Sequence, residues 1–75
     1  PDPRKKVFLL STGSEATECA IKLSRAHGIA KGGREKIGII GFERGYHGRT
    51  LASQQAGGMA GQKTWIVNLD PAIIN

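Results

Sequence analysis

Two short polar stretches hold the residue types that can bind an anion and a flat ring. The first is Thr12-Gly13-Ser14, which follows an apolar run and precedes a helix-forming run. Backbone N–H groups at the start of a helix favour an anion such as phosphate, and glycine lets it approach closely. With a single glycine, the turn is neither a Walker A loop nor a GxGxxG fingerprint. Thr12 and Glu15 also have capping-box spacing, with Ser14 as a rival cap, so the turn alone favours an ordinary capped helix.

The second stretch is Gly-Tyr-His-Gly-Arg-Thr at residues 45–50. Tyr46 offers a flat face on which a planar heteroaromatic ring can stack. Arg49 offers a planar fork that suits a carboxylate. The same residues also suit a surface loop whose tyrosine and arginine pack along their apolar parts. By itself, His47 is more often a structural hydrogen-bonding residue than a catalyst.

The pattern of apolar residues predicts the elements that position both stretches. Residues 7–10 are consecutively apolar, which is typical of a strand buried on both faces, and residues 36–42 predict a second such strand. Between them, a helix begins near Ser14 and closes at Gly28. Its apolar stripe comprises Ala16, Cys19, Ala20, Leu23 and Ala26 or His27, and its other face carries Glu18, Lys22 and Arg25, with Glu18 spaced to pair with Lys22.

Strand, helix and strand in this order predict a right-handed βαβ unit with a parallel pair of strands. In open α/β sheets, ligands bind at the carboxyl ends of the strands, so we expect both polar stretches at one edge of the sheet. Further along, residues 50–56 predict a short helix capped by Thr50, and residues 64–69 predict a short strand that ends at Asp70-Pro71. Residues 1–6 are predicted to be a connector.

Composition narrows the classes of protein. One cysteine among 75 residues excludes an internal disulfide, and Cys19, His27 and His47 lack the paired spacing of metal ligands. The chain starts with Pro1, and no signal peptide or membrane-length apolar run follows, so we expect a piece of a longer cytoplasmic polypeptide that has no membrane partner. Two strands and a helix bury too little surface for us to expect independent folding.

The formal charge of +5 raises the alternative of a small basic nucleic-acid-binding module. The basic residues are scattered, however, and no aromatic residues alternate with them to form a base-stacking platform. A solvated basic surface therefore explains the charge better, and no nucleic-acid partner is expected. A gel shift at low salt would test the alternative. A phosphate-site domain for an unrelated phosphorylated ligand is a third interpretation.

Together, the two stretches would hold a phosphate, a flat ring and a carboxylate, which pyridoxal phosphate bound with an amino acid requires. Residues 11–23 (STGSEATECAIKL) and 42–51 (FERGYHGRTL) resemble the class III aminotransferases. These belong to the fold-type I pyridoxal-phosphate enzymes, the group with ornithine, acetylornithine and 4-aminobutyrate aminotransferases. The resemblance extends over nearly the whole chain and implies the N-terminal part, residues 1–75, of an α/β/α large domain with a mostly parallel sheet.

The resemblance also implies residue roles. Gly13 and Ser14 match the pair that holds the cofactor phosphate, with Thr12 beside them. Tyr46 matches the aromatic residue that stacks on the pyridine ring, and His47 a variable neighbour that lines the pocket. In several members, the arginine that matches Arg49 binds the substrate carboxylate.

The resemblance further implies a homodimer that transfers an amino group between an amino donor and a 2-oxo acid. The family's cofactor-binding lysine and its ring-pairing aspartate lie downstream, so these residues include no catalytic group and we expect them to be inactive alone. A racemase, an aminomutase or a decarboxylase of the same cofactor family could share both blocks.

Overall fold

The computed structural model describes residues 6–75, so most of the connector predicted at residues 1–6 lies outside the described part. The elements, in chain order, are helix α1 (Gly13–Gly32), strand β1 (Ile39–Ile40), helix α2 (Leu51–Ala56), a 3-10 helix (Ala60–Gln62) and strand β2 (Ile73–Ile74). Strands β1 and β2 pair in parallel, with Ile39 opposite Ile73. The described part is therefore an α/β arrangement built on a two-stranded parallel sheet.

Helix α1 begins as predicted but ends later. Thr12 is its N-cap, since the Thr12 hydroxyl accepts the Glu15 amide at 3.1 Å, which decides against Ser14 as the cap. The predicted end at Gly28 is wrong: the helix continues to Gly32, and Gly33 follows it with a φ of 92°. Gly28 instead allows a close approach, because a Cβ there would overlap the backbone carbonyl of Lys36.

The packed face of α1 is not the predicted apolar stripe. Ile21 is its buried residue, whereas Leu23 of the predicted stripe is 57% exposed. Arg25, placed on the solvated face by the sequence, donates from Nε to the carbonyl of Ile37 at 2.9 Å. The segment from residue 36 onward therefore packs against the side of α1 that carries Ile21 and Arg25, one turn apart.

The strand predicted at residues 7–10 is wrong in the described structure. These residues adopt no regular structure, and Val7, Phe8 and Leu9 are 82%, 72% and 85% exposed. A strand needs a neighbouring backbone to accept and donate its hydrogen bonds. Within residues 6–75 that neighbour is not provided, so apolar character alone does not form the strand.

The second sheet partner lies further along the chain than predicted. Residues 64–69 form turns, with the Ile66 amide bonded to the Lys63 carbonyl at 3.0 Å, so the strand predicted there is wrong. Strand β2 follows Asp70-Pro71 instead of preceding it. The Asp70 carboxylate accepts the amide of Ala72 at 2.9 Å, which turns the chain into the register of β1. The second predicted strand is confirmed in shortened form, as β1.

The short helix predicted at residues 50–56 is confirmed as α2, with Thr50 as its N-cap. Its last four residues, 53–56, are buried. Three of these are polar: Ser53, Gln54 and Gln55. Hydrogen bonds compensate this burial, because Gln55 Nε2 donates to the Asp70 carbonyl at 2.7 Å and Lys63 Nζ donates to the Gln55 carbonyl at 2.9 Å. Among residues 6–75, no helix combines the length and apolar character needed to cross a bilayer.

Candidate functional site

One cleft gathers five of the six residues singled out from the sequence. It has a volume of about 360 Å³ and is lined by Thr12, Gly13, Ser14, Thr17, Tyr46 and His47. Two segments that are distant in the chain, residues 12–17 and 46–47, thus line one depression. The sequence placed both stretches at one edge of a sheet that includes residues 7–10; the stretches share this cleft, but that strand does not form in the described residues.

The start of α1 forms one wall of this cleft. The first amides of a helix have no partner within the helix. The Thr12 hydroxyl takes the amide of Glu15, which leaves the amides of Gly13 and Ser14 at the helix entrance. A Cβ placed on Gly13 would meet no heavy atom within 4 Å, so the space beside this residue is open. Donors, positive helix end and open space are what a bound anion requires.

The second wall of the cleft is the loop that carries Tyr46 and His47. Gly48 lets this loop pack closely against the start of α1. Its φ of 122° lies in the region that favours glycine, and a Cβ at this position would overlap the Ser14 hydroxyl. The same Cβ would stand 2.9 Å from the Ser53 hydroxyl. Only a residue without a side chain lets the loop pass this close to the beginning of α1. The sequence placed this glycine beside the candidate residues without assigning it a role.

Tyr46 and His47 approach the helix entrance from the loop that precedes Gly48. The Tyr46 side chain is 59% exposed, so part of its ring surface is free for contact with a ligand. His47 lines the cleft and also a neighbouring cavity of about 300 Å³ between α1 and β1. His47, although exposed, therefore lies between the candidate site and β1.

Arg49 is the sequence-selected residue that does not line the cleft. It is exposed and follows Gly48 at the start of the approach to α2. Thr17 lines the cleft although the sequence did not single it out. Its position four residues after Gly13 puts both on one face of α1, so helical spacing could have identified it.

Outside the cleft, Arg25 and Asp70 form an ion pair with 3.0 Å between Nη1 and Oδ2. The Ala72 amide, followed by the Arg25 guanidinium, lowers the pKa of the Asp70 carboxyl below its ordinary value of 3.8. This pair links α1 to the segment before β2 and does not enter the candidate site. Among residues 6–75, no three His, Cys, Asp or Glu residues are grouped so that they could hold a metal ion.

Comparison with known proteins gives consistent matches. The profile of the family described as aminotransferase class-III matches residues 1–74. Acetylornithine aminotransferase from Agrobacterium fabrum is 46% identical over 68 residues, which are 91% of this chain and 16% of that protein. The enzyme of the same name from Mesorhizobium japonicum is 51% identical over 53 residues, 71% of this chain and 13% of that protein.

Succinylornithine transaminase from Citrobacter koseri is 38% identical over 69 residues, which are 92% of this chain and 17% of that protein. The chain thus spans only about one sixth of the length of the curated relatives it matches. No solved structure matches it significantly.

Proposed function

Because this chain belongs to the aminotransferase class-III family, we propose that the complete protein is a pyridoxal-phosphate-dependent aminotransferase. It transfers an amino group between an amino donor and a 2-oxo acid. Residues 1–75 form the N-terminal part of its cofactor-binding large domain, a three-layer α/β/α domain with a mostly parallel sheet. The observation that carries this proposal is the single cleft that joins the start of α1 to Tyr46.

The residues of the cleft fit the cofactor. Gly13 and Ser14 offer helix-terminal amides and a hydroxyl, and the open space beside Gly13 admits a phosphate oxygen. The half-exposed ring of Tyr46 offers an aromatic surface for a pyridine ring. No carboxylate is among the described residues that line the cleft.

Each residue then has a defined task. Gly13 and Ser14 hold the phosphate with help from Thr12, Tyr46 supports the ring, and His47 closes the pocket beside it. Pyridoxal phosphate, when bound, supplies the electron sink for amino-group transfer, while the protein supplies orientation and electrostatics. Arg49 lies outside the cleft but is exposed, which leaves its guanidinium free to bind a substrate carboxylate.

The relatives suggest the donor to test first. Two carry the name acetylornithine aminotransferase and one the name succinylornithine transaminase. We therefore propose an N-acylated ornithine as the amino donor of the complete protein. A homodimer, as the family resemblance implies, completes the proposed assembly.

The experiment replaces Tyr46 and Gly13 in the complete protein. Tyr46→Ala is expected to weaken cofactor binding about tenfold, since an aromatic contact is worth about 1.4 kcal/mol. Tyr46→Phe keeps the ring and serves as the matched control, with binding close to wild type. Gly13→Val is expected to abolish binding, because a side chain would occupy the space for the phosphate.

Visible absorbance of the bound cofactor and the rate of amino transfer are the readouts. Unchanged absorbance and activity in both Tyr46→Ala and Gly13→Val would overturn the assignment. Product analysis with N-acetylornithine and a 2-oxo acid separates an aminotransferase from a racemase, an aminomutase or a decarboxylase. Those reactions leave different products although they share the cofactor.

A further inference from the structure

Glu18 of α1 forms hydrogen bonds to the start of α2, which directly follows the loop that carries Tyr46. Its Oε2 atom accepts the backbone amide of Ser53 at 2.8 Å and also the hydroxyl of Thr50. The carboxylate of α1 therefore binds the first turn of α2, where helix amides lack partners of their own. Helical spacing predicted a pairing of Glu18 with Lys22, whereas the structure shows its carboxylate bonded to Thr50 and Ser53. A charged acceptor makes each of these hydrogen bonds stronger than a neutral one would.

Thr50 and Ser53 are locked to each other as well as to Glu18. The Thr50 amide donates to the Ser53 hydroxyl at 3.1 Å, and that hydroxyl lies 3.2 Å from the Thr50 carbonyl. Ser53 is completely buried, so its polar atoms depend on these partners. Removing the Glu18 carboxylate would take away the charged acceptor of the buried Ser53 amide and leave it only the Thr50 side chain of the capping box.

The loop that carries Tyr46 ends at this cluster. Gly48 precedes Thr50 by two residues and packs directly against both Ser14 and Ser53. Ser14 and Glu18 are one turn apart on the same face of α1. The loop is thus held at two successive turns of α1, by contact at Ser14 and by hydrogen bonds at Glu18.

We propose that Glu18 is a positioning residue for the cofactor site. Through Thr50 and Ser53 it fixes the loop so that Tyr46 faces the amides at the start of α1. Glu18 does not line the cleft, so it acts through the loop and not by contact with the cofactor. The inference rests on the proposed function, because it explains how the ring support and the phosphate site are kept at a fixed separation.

A double-mutant cycle in the complete protein tests this role. Glu18→Ala, Tyr46→Ala and the double variant are compared by the dissociation constant for pyridoxal phosphate added to the apoprotein. Glu18→Ala alone is expected to weaken binding about tenfold, within the range of coupled neighbouring residues. In the Tyr46→Ala background, Glu18→Ala is expected to raise the dissociation constant further by less than about twofold, because the loop no longer carries a ring to position.

Two further variants separate positioning from general stability. Glu18→Gln keeps an oxygen that accepts the Ser53 amide, and it is expected to restore binding to within about threefold of wild type. Glu15→Ala removes a carboxylate one turn earlier on α1 that forms no hydrogen bond with Thr50 or Ser53 in the described residues, and it is expected to bind pyridoxal phosphate normally. If Glu18→Ala does not fold, Thr50→Val takes its place in the cycle, since it removes one of the two hydrogen bonds.

The outcomes separate this inference from the proposed function. Equal losses on Glu18→Ala in both backgrounds, or no loss in either, would overturn the positioning role alone. Wild-type protein that binds no pyridoxal phosphate, or a Tyr46→Ala variant that binds it normally, would overturn the proposed function together with this inference. Non-additive losses with rescue by glutamine support it.

Discussion

Residues 7–10 are apolar but largely exposed, whereas helix α2 carries polar side chains that are buried. Leu9 is 85% exposed, whereas Gln54 of α2 is 2% exposed. The difference follows from hydrogen bonding. Every turn of α2 finds partners within the described chain, including the Glu18 carboxylate at its start and Asn75 Nδ2 on the Ala56 carbonyl at its end. Within the described residues, residues 7–10 form no strand, and Val7, Phe8 and Leu9 remain mostly exposed.

The contrast teaches that burial in this chain is decided by partners and not by hydropathy. A buried amide group that keeps its hydrogen bonds costs little, whereas an apolar run gains nothing until another surface covers it. The polar side chains of α2 therefore find their hydrogen-bond partners within the described residues, whereas residues 7–10 stay mostly exposed there.

The largest expected effect concerns the packing of Gly48. Gly48→Ala in the complete protein is expected to lower the free energy of unfolding by about 3 kcal/mol, from unfavourable φ and from overlap with Ser14. Gly33→Ala is the matched control, because Gly33 also has positive φ but meets no atom within 4 Å. Gly33→Ala should lower the free energy of unfolding by only about 1–2 kcal/mol. Urea denaturation checks both, and equal losses would show that the loop is not packed as described.

The next effect concerns the exposed run. In the proposed three-layer domain, residues 7–10 are covered, so Leu9→Ala in the complete protein is expected to cost about 2–3 kcal/mol. Lys22→Ala, an exposed change on α1, serves as the control and should stay within about 0.5 kcal/mol. The same denaturation measurement decides the matter. A loss for Leu9→Ala as small as that of the control would mean that the run stays exposed.

The smallest effect concerns Asp70, whose carbonyl anchors Gln55 of α2. Its carboxyl pKa, measured by NMR titration, is expected to lie below 3.8. Because the folded pKa is lowered, the ionised carboxylate stabilises the fold above the unfolded pKa, and this contribution disappears as pH falls through the folded pKa. Arg25→Met should raise the pKa only partly, since the Ala72 amide is the larger cause and remains.

An Asp70 pKa at or above 3.8 would contradict the hydrogen bonds described for this carboxylate. The stability difference between wild type and Asp70→Asn gives a second measurement. It is expected to narrow as the pH falls from 3.8 towards the lower folded pKa, because protonation of the carboxyl removes the contribution of its ionised form.

Local signals in the sequence predicted the elements whose hydrogen bonds are local. The cap at Thr50 was predicted, and Thr12 was one of two predicted candidates for the cap of α1, because caps act over a few residues. The strand around Ile39 was predicted from its short apolar run, although its hydrogen bonds reach residues 72 and 74. The strands at residues 7–10 and 64–69 were wrong, since strand formation depends on a distant partner. The predicted end of α1 at Gly28 was wrong, because Gly28 lies inside the helix and allows the backbone of Lys36 to approach closely.

For the candidate site, the sequence by itself determined which groups are available: backbone amides at Gly13 and Ser14 and an aromatic ring at Tyr46. Only the tertiary structure decided how these groups meet. Gly48 packs on Ser14, and Glu18 reaches Ser53 across 35 positions of the chain. Residue types and spacing define which atoms can bind a ligand, but the separation between two walls is set by contacts that no local pattern contains.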